Sequence, residues 1–341
     1  MKVQFLLGAP MKYWTMLLHF YQPPTQEDNI TWNILTFCYL PLLRMLDHKS
    51  GFGLTLNITG CLSDQLKKIK ADEFFELIER LEIGGKIELV DSMKYHPIMP
   101  LFSEDVLKRQ ISTGANTFFP PELAIDQKTL DLIPNKYVFV DETALNAKTP
   151  IAKHKDKYLL VNNRQICNLF RSYQGNLEAK MITDLVTSDL TVVANDVELF
   201  GHHYTERLQV LSDLLDNPNL KFIRSSEAIE KFGQDSPEVM GIKSSSWQEC
   251  SEFDLWNKNE LQIEYLELLK TCDVDSAFSS CYLYWLSNWP WWHPGLVRSG
   301  VELMPKTNAT EKFLEHMWVY HNSGQVEKNY EAFNKKVADR S

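Results

Sequence analysis

The sequence predicts an α/β fold: a closed or nearly closed barrel of parallel strands, followed by a helical region. Three observations predict it. Through the first two thirds of the 341 residues, short apolar runs alternate with polar, helix-periodic stretches, the signature of parallel βα units. Seven or eight such units fit a barrel better than an open sheet. After about residue 235 the alternation stops, and the remaining segments carry helix periodicity alone.

Strands are expected at 13–18, 52–58, 86–90, 116–119, 137–140, 158–161, 190–194 and 221–223. Between the second and third, LSDQLKKIKADEFFELIERLEIGG spaces apolar residues three and four apart and reads as one helix. Ser63 is its expected cap and Gly84-Gly85 its stop. SEDVLKRQIST, after the third strand, reads the same way. Turn formers in GQDSPEVMGIKSSS put a junction at 233–246. It divides the chain into a barrel over 1–235 and a helical domain over 236–341. In the second part NKNELQIEYLELLKTC, VDSAFSSCYLYWLSN, ATEKFLEHMWVYHNS and VEKNYEAFNKKVADR read as helices. The third has Asn308 as N-cap, with Glu311 three residues on.

A formal charge of -10 with scattered lysines argues against nucleic acid and anionic membranes as partners. No apolar run reaches the length of a membrane span. The N-terminal MKVQFLLGAPMKYWTMLLHF fails as a signal peptide, because its apolar run is short and Lys12 interrupts it; Met11 offers an alternative start. The six cysteines form no CxxC pair, so reduced structural thiols and a cytoplasmic setting are expected. A homo-oligomer is compatible with this composition.

Ionisable residues recur where predicted strands end. His19 follows WTMLL, Glu88 lies in KIELV with His96 shortly after, and Glu122 follows NTFFPP. Asp141 and Glu142 follow YVFV, while Asp196 and Glu198 follow TVVAN. In a parallel barrel the C-terminal strand ends converge on one face, so these residues form one cluster. Two carboxylates from different strands divide the work of breaking a glycosidic bond, one attacking or activating water and the other protonating the leaving oxygen. Aromatic residues accompany them. Trp285, Trp289, Trp291 and Trp292 fall within YLYWLSNWPWWHPG, where Pro290 and Pro294 interrupt any helix. Flat rings with polar edges suit sugars and suit a domain interface equally.

Five segments in this order resemble glycoside hydrolase family 57. LLHFYQPP (17–24) is similar to its first region and GGKIELVDSMKYHPIMPLF (84–102) to its second. TFFPPELA (117–124) is similar to the third, although Phe118 and Phe119 stand where many members carry tryptophan. NDVELFGHHYTE (195–206) resembles the fourth, and SSSWQECSEFDLWNKN (244–259) the start of the helical part. The resemblance implies an incomplete (β/α)7 barrel with a C-terminal helical bundle that completes the cleft. It implies an α-amylase- or 4-α-glucanotransferase-like enzyme, acting on α-linked oligosaccharides or polysaccharides with retention through a glycosyl-enzyme intermediate, and needing no metal or organic cofactor. By the matched positions Glu122 is the nucleophile and Asp196 the acid/base. His19, Glu88, His96, Glu198, His202 and Trp247 are expected to line the substrate site, with Trp291 and Trp292 as aromatic contacts. Two other readings compete. One is a metal-dependent barrel enzyme of the mannosidase or deacetylase kind, using Asp196, His202 and His203. The other is a non-catalytic carbohydrate-binding protein on the same fold.

Overall fold

In the computed structural model, described for residues 10–173, 175–248, 252–288 and 290–329, the strands are β1 (Lys12–Phe20), β2 (Leu54–Ile58), β3 (Ile87–Leu89), β4 (Thr117–Phe118), β5 (Tyr137–Asp141), β6 (Ile151–His154), β7 (Lys157–Asn162), β8 (Leu190–Asp196) and β9 (Leu220–Phe222). One sheet runs β3-β2-β1-β8 and the other β4-β5-β7, with antiparallel β6 outside it. The two sheets meet at both edges. Asp91 pairs with Phe118 in parallel, and the Asn163 N–H donates to the Val192 carbonyl at 2.8 Å. Seven parallel strands therefore form a ring, β1-β2-β3-β4-β5-β7-β8, joined at two seams by very few hydrogen bonds. β9 pairs with the first residues of β1, and its Phe222 carbonyl accepts from Gly53 at 3.0 Å. The eight expected strands all form. β6 was not foreseen; it is a short hairpin arm turning back at Lys155, whose φ is +56°.

Side chains alternate across each strand. On β1, Trp14, Met16, Leu18 and Phe20 pack outward against helices. Leu17 points inward with Phe139, Leu160, Val192 and Ala194, filling the barrel. By the same alternation Thr15 and His19 face inward, below and above Leu17. This inner column is what delivers polar groups to the top of the barrel.

The single helix expected over 62–85 is two helices, Gly60–Lys68 and Asp72–Ile83. Lys70 breaks it with φ +56°. Thr59, not Ser63, caps the first by accepting from the Leu62 N–H. Gly85, at φ +66°, carries the stop. At the far end Thr307 replaces the expected Asn308 as N-cap, in a box with Thr310. The expected junction at 233–246 is a bonded strap. Lys153 bridges Glu238 and Ile125 bridges Ser245, because buried backbone polar groups must find partners even in a turn-rich segment. Trp289, Cys250 and most of the last expected helix lie outside the described residues, as do residues 1–9.

The helices Glu260–Leu269, Ser280–Tyr284, Pro294–Val301 and Asn308–Asn322 build a second core around Tyr265, Tyr282, Phe313 and Met317. Ile98 and Ala124 of the barrel loops join it, so this bundle seats directly on the end of the barrel where these loops lie. Among the described residues no helix is long and apolar enough to cross a membrane, and Cys38, Cys61, Cys167, Cys272 and Cys281 are free thiols.

Gly300 marks the tightest contact of the bundle. A Cβ there would lie 2.5 Å from the buried Tyr282 ring. Gly300→Ala gains about 1 kcal/mol of helix propensity but overpacks the ring, at a cost of about 1–3 kcal/mol. The expected outcome is a lower urea midpoint at unchanged m value. A higher midpoint would show that the two helices separate freely.

Candidate active site

A cavity of about 480 Å³ opens between the barrel top and the bundle. The barrel contributes His19, His96, Glu122, Asp196 and Glu198. The bundle contributes Ser280, Cys281, Tyr284, Trp285 and Trp291. His202 and His203 also line it, so eight of the expected positions converge there once His203 is counted.

Glu122 sits in a one-turn 3-10 helix, Pro121–Leu123, at φ +57° and ψ +16°. Leu123 is also left-handed, at φ +48°. Such backbone is costly for a non-glycine residue and persists where surrounding bonds enforce it. Here the strap, carried on through Trp247 and Gln248, enforces it. The Trp247 N–H donates to the Glu122 carbonyl at 3.0 Å, and Ser245 and Ile125 exchange both backbone bonds. The strap also holds the carboxylate. Trp247 Nε1 donates to Glu122 Oε2 at 2.6 Å and Gln248 Nε2 donates to the same oxygen at 3.0 Å. Oε1 takes neither of these donors.

Two arginines on the helix Arg164–Ser172 anchor the strap in turn. Arg164 pairs with the fully buried Asp141 at 2.6 Å and donates to the Ser246 carbonyl at 2.6 Å. Arg171 donates to the Trp247 carbonyl at 3.0 Å and to Gln248 Oε1 at 3.1 Å, with its guanidinium 5.1 Å from the Trp247 ring. Arg171 itself faces the cavity. The sequence reading passed over it; the available signal was an arginine pair seven residues apart, on one helix face, just after a strand.

Asp196 ends β8 opposite His19. Burial pushes its carboxyl up to about 7; the negative charge of Glu122 adds to this, and Arg171 opposes it. A carboxyl with these surroundings keeps its proton near neutral pH. Two residues on, Glu198 is buried, and Gly201 at φ +139° turns the chain so closely against the Phe37 carbonyl that a Cβ would meet it at 2.7 Å.

His19 and His96 form one hydrogen-bonded chain. Asn57 Nδ2 donates to the Val90 carbonyl at 3.2 Å, so Asn57 Oδ1 accepts from His19 Nδ1 at 2.7 Å. His19 Nε2 is then the acceptor for His96 Nε2–H at 2.9 Å, and His96 Nδ1 accepts from the Ser280 hydroxyl at 2.9 Å. All four ring nitrogens are used, and each imidazole has one assigned tautomer. Burial pushes both down to about 3; the neighbouring His96 adds to the effect on His19. They are neutral rings. Tyr21, His96, His19 and Phe119 follow one another at centroid separations of 4.1, 4.8 and 4.8 Å. His96 is held left-handed at φ +61°, and its carbonyl accepts from the Ser280 N–H at 3.0 Å, a bundle residue.

Three expected contacts lie elsewhere. Glu88 pairs with Thr55, one inward row below the His19–Asn57 row, about 6.6 Å deeper in the barrel. There its carboxylate accepts from Thr55, from the Ser225 hydroxyl and from Ser226 N–H and Oγ, bracing the start of the helix Ser225–Phe232. Trp247 is buried behind Glu122 rather than in the cavity wall. Trp292 packs on Tyr320 and donates to His321 at 3.0 Å, a bundle contact, whereas Trp291 is half exposed at the cavity rim. Asp141, grouped with the strand-end acids, is structural. For the metal reading, no group of three or more His, Cys, Asp or Glu among the described residues is arranged to hold a metal ion.

Comparisons with known proteins place the fold and the family. A 4-α-glucanotransferase from Thermococcus litoralis superposes with a TM-score of 0.61 at 17% identity, covering 76% of this chain and 46% of its own. This chain thus spans about half of that protein. A GH57 branching enzyme from Thermococcus kodakaraensis superposes at 0.64 with 14% identity, covering 94% of each chain. One from Pyrococcus horikoshii does so at 0.65 with 13% identity, covering 91% of this chain and 95% of its own. At these identities the likeness is one of fold. Among curated proteins no match to the sequence is found. The sequence profile of glycosyl hydrolase family 57 matches residues 20–236, well over half of the chain, and the chain belongs to that family.

Proposed function

We propose that this chain is a retaining glycosidase or transglycosylase of α-linked glucans, with Glu122 as nucleophile and Asp196 as acid/base. The observation that carries the reading is the contrast between the two carboxyls. Glu122 is fixed on Oε2 by two N–H donors, so Oε1 is the oxygen that takes neither of them. Asp196 shares the cavity and is pushed up to about 7 by burial and by the Glu122 charge. Double displacement requires one carboxyl positioned to attack and another that holds a proton for the leaving oxygen. The family membership supports the same reading, as does the fold shared with a 4-α-glucanotransferase and with branching enzymes.

In the first step Glu122 Oε1 attacks the anomeric carbon while Asp196 gives its proton to the departing glycosidic oxygen. The C–O bond to the leaving sugar breaks as the bond to Glu122 forms. In the second step the ionised Asp196 takes a proton from water or from an acceptor hydroxyl, whose oxygen displaces Glu122. The neutral His19–His96 wall adds no positive charge that would draw the proton from Asp196. Trp291 at the rim is a flat face for a sugar ring. An α-linked oligosaccharide is the expected partner; water against sugar as acceptor sets hydrolysis against transfer.

Glu122→Ala should be inactive on both a maltooligosaccharide and an activated dinitrophenyl α-glycoside. Asp196→Ala should keep most of its glycosylation rate on the activated substrate, which needs no proton, and lose it on the oligosaccharide. Azide should restore its turnover and give a glycosyl azide of retained configuration. An inverted product from Asp196→Ala would exchange the two roles, and saturable binding without any product from the wild-type chain would favour the non-catalytic reading.

Protonation of Asp196 should also govern pH dependence. Initial kcat/KM on an unactivated glucan should fall as pH rises through about 7, while Asp196→Ala on the activated glycoside should lack that fall. Stability follows the same group with a definite sign. Asp196 is raised on folding, so the native chain binds its proton more tightly than the unfolded chain, and stability is lost as pH rises from the ordinary carboxyl value to about 7. Asp196→Asn removes that loss. Its gain over wild type in chemical unfolding should be larger above pH 8 than at pH 4, by about 2–4 kcal/mol. An equal gain at both pH values would mean that Asp196 is ionised in the native chain.

A further inference from the structure

A third carboxyl lines the same cavity. Glu198 lies on the 3-10 turn Val197–Leu199, two residues beyond Asp196, and is 8% exposed. Its bonding is one-sided. The Tyr39 hydroxyl donates to Oε1 at 2.5 Å and Gln22 Nε2 donates to Oε1 at 2.8 Å. Gln22 also reaches the Tyr39 oxygen at 3.2 Å, so the phenol proton is spent on Oε1. Backbone bonds fix the turn itself, with the His202 and His203 N–H groups donating to the Glu198 carbonyl at 3.1 and 2.9 Å. Oε2 takes neither side-chain donor, and the residue lines the cavity.

An oxygen that accepts two N–H or O–H donors uses its lone pairs and has no room for a proton of its own. A proton on this carboxyl therefore resides on Oε2. The groups around it favour keeping one. Asp196, at the end of β8 just before this turn, brings negative charge once it gives up its proton, Cys38 and Tyr39 face Glu198 from the π-helical segment Leu35–Tyr39, and Gln22 is neutral. His202 and His203 are pushed below the ordinary histidine value by burial. No lysine or arginine of the described residues bonds to it. Burial and then the Asp196 charge push Glu198 up to about 8, against the pull of the Tyr39 hydroxyl, of its own backbone N–H and of Gln22.

We propose that Glu198 is a neutral carboxylic acid that donates a hydrogen bond from Oε2 to a sugar oxygen of the bound substrate, beside the bond that is cleaved. This rests on the reading of Glu122 and Asp196 given above and adds a third role to it. The proton is not transferred; it holds the sugar. A carboxylate in this place could only accept hydrogen bonds and would crowd a further negative charge beside Asp196. The neutral acid donates, and leaves attack on the reacting carbon to Glu122.

Glutamine reproduces this pattern and alanine does not, because Gln offers a carbonyl to Tyr39 and Gln22 and an N–H to the substrate. On a maltooligosaccharide, Glu198→Ala should lose kcat/KM on the order of 100-fold, the cost of an unmade buried hydrogen bond, and Glu198→Gln should recover at least about tenfold of that loss. The alkaline limb gives an independent readout. Two acids must be protonated in wild type, so log kcat/KM should approach a slope of about -2 at high pH, against about -1 in Glu198→Gln, which retains only Asp196. Glutamine no better than alanine, or equal limiting slopes, overturns the proposal. Infrared difference spectra between neutral pH and about pH 9.5 test the proton without any substrate. Wild type should lose a protonated-carboxyl stretch that Glu198→Gln lacks from the start and Asp196→Asn keeps. Identical wild-type and Glu198→Gln spectra overturn the proposal even if no glucan is turned over, and failure of turnover with the stretch present counts against the catalytic reading alone.

Discussion

The arrangement depends on how a strained glutamate is held. Glu122 occupies left-handed backbone, a conformation worth about 1–3 kcal/mol of strain for a non-glycine residue. It is kept there by a strap that bonds its carbonyl through the Trp247 N–H and its carboxylate through Trp247 and Gln248. The strap has little regular structure of its own. Its position comes from Arg164 and Arg171, two turns apart on one helix, which reach the carbonyls of Ser246 and Trp247. Arg164 is fixed in turn by the buried carboxylate of Asp141. A buried ion pair of this kind contributes little net stability against an apolar replacement. Its value lies in fixing direction, because planar guanidinium groups present donors at set angles. Glu122 is thus oriented through the end of β5, through a helix after β7 and through the chain that leaves the barrel.

The same cavity distributes protons by surroundings rather than by residue type. Three carboxyls and two buried imidazoles share it. The imidazoles spend every ring nitrogen on one another, on Asn57 and on Ser280, and burial keeps them neutral. Their effect on Asp196 is therefore steric and dipolar. If either carried charge, it would lower Asp196 by the mechanism through which Arg171 already does. Ser280 belongs to the bundle, and Tyr21 meets Ser279 at 2.5 Å. The tautomers are set from the barrel side, by Asn57 through His19 to His96, and Ser280 of the bundle supplies the donor that ends the chain. The helical region is part of the electrostatics of the site as well as its wall.

Most of the fold was legible because strand periodicity and helix periodicity differ, and the βα alternation repeats often enough to be seen. What escaped was local. A break at Lys70 divides a continuous helical pattern, since apolar spacing carries no information about one left-handed residue. β6 escaped because its four residues, IAKH, are too few for an alternation to register. The strap at 233–246 reads as a linker from its turn formers, and its backbone is irregular as those residues imply. Its bonds to Ile125 and Lys153 join residues about a hundred positions apart, and nothing in the local sequence encodes them.

The site divides along the same line. Positions that end strands, such as His19 and Asp196, were placed by the rule that C-terminal strand ends share one face. Positions within strands were not, and Glu88 gives the reason. Side chains of one face recur every two residues, so an inward carboxylate occupies a layer fixed by the offset of its strand. The register sets Glu88 against Thr55 and Thr55 against Leu17, one row below His19. A single row turns a prospective sugar contact into a brace for the next helix, where Ser225 and Ser226 satisfy it. Trp247 and Trp292 differ from Trp291 in the same manner: each lies on a cavity-forming segment, and direction decides between supporting Glu122, packing the bundle and facing the cavity. Residue type and motif order identify which segments meet at the site. Register and side-chain direction, which are properties of the assembled barrel, decide what each residue does there.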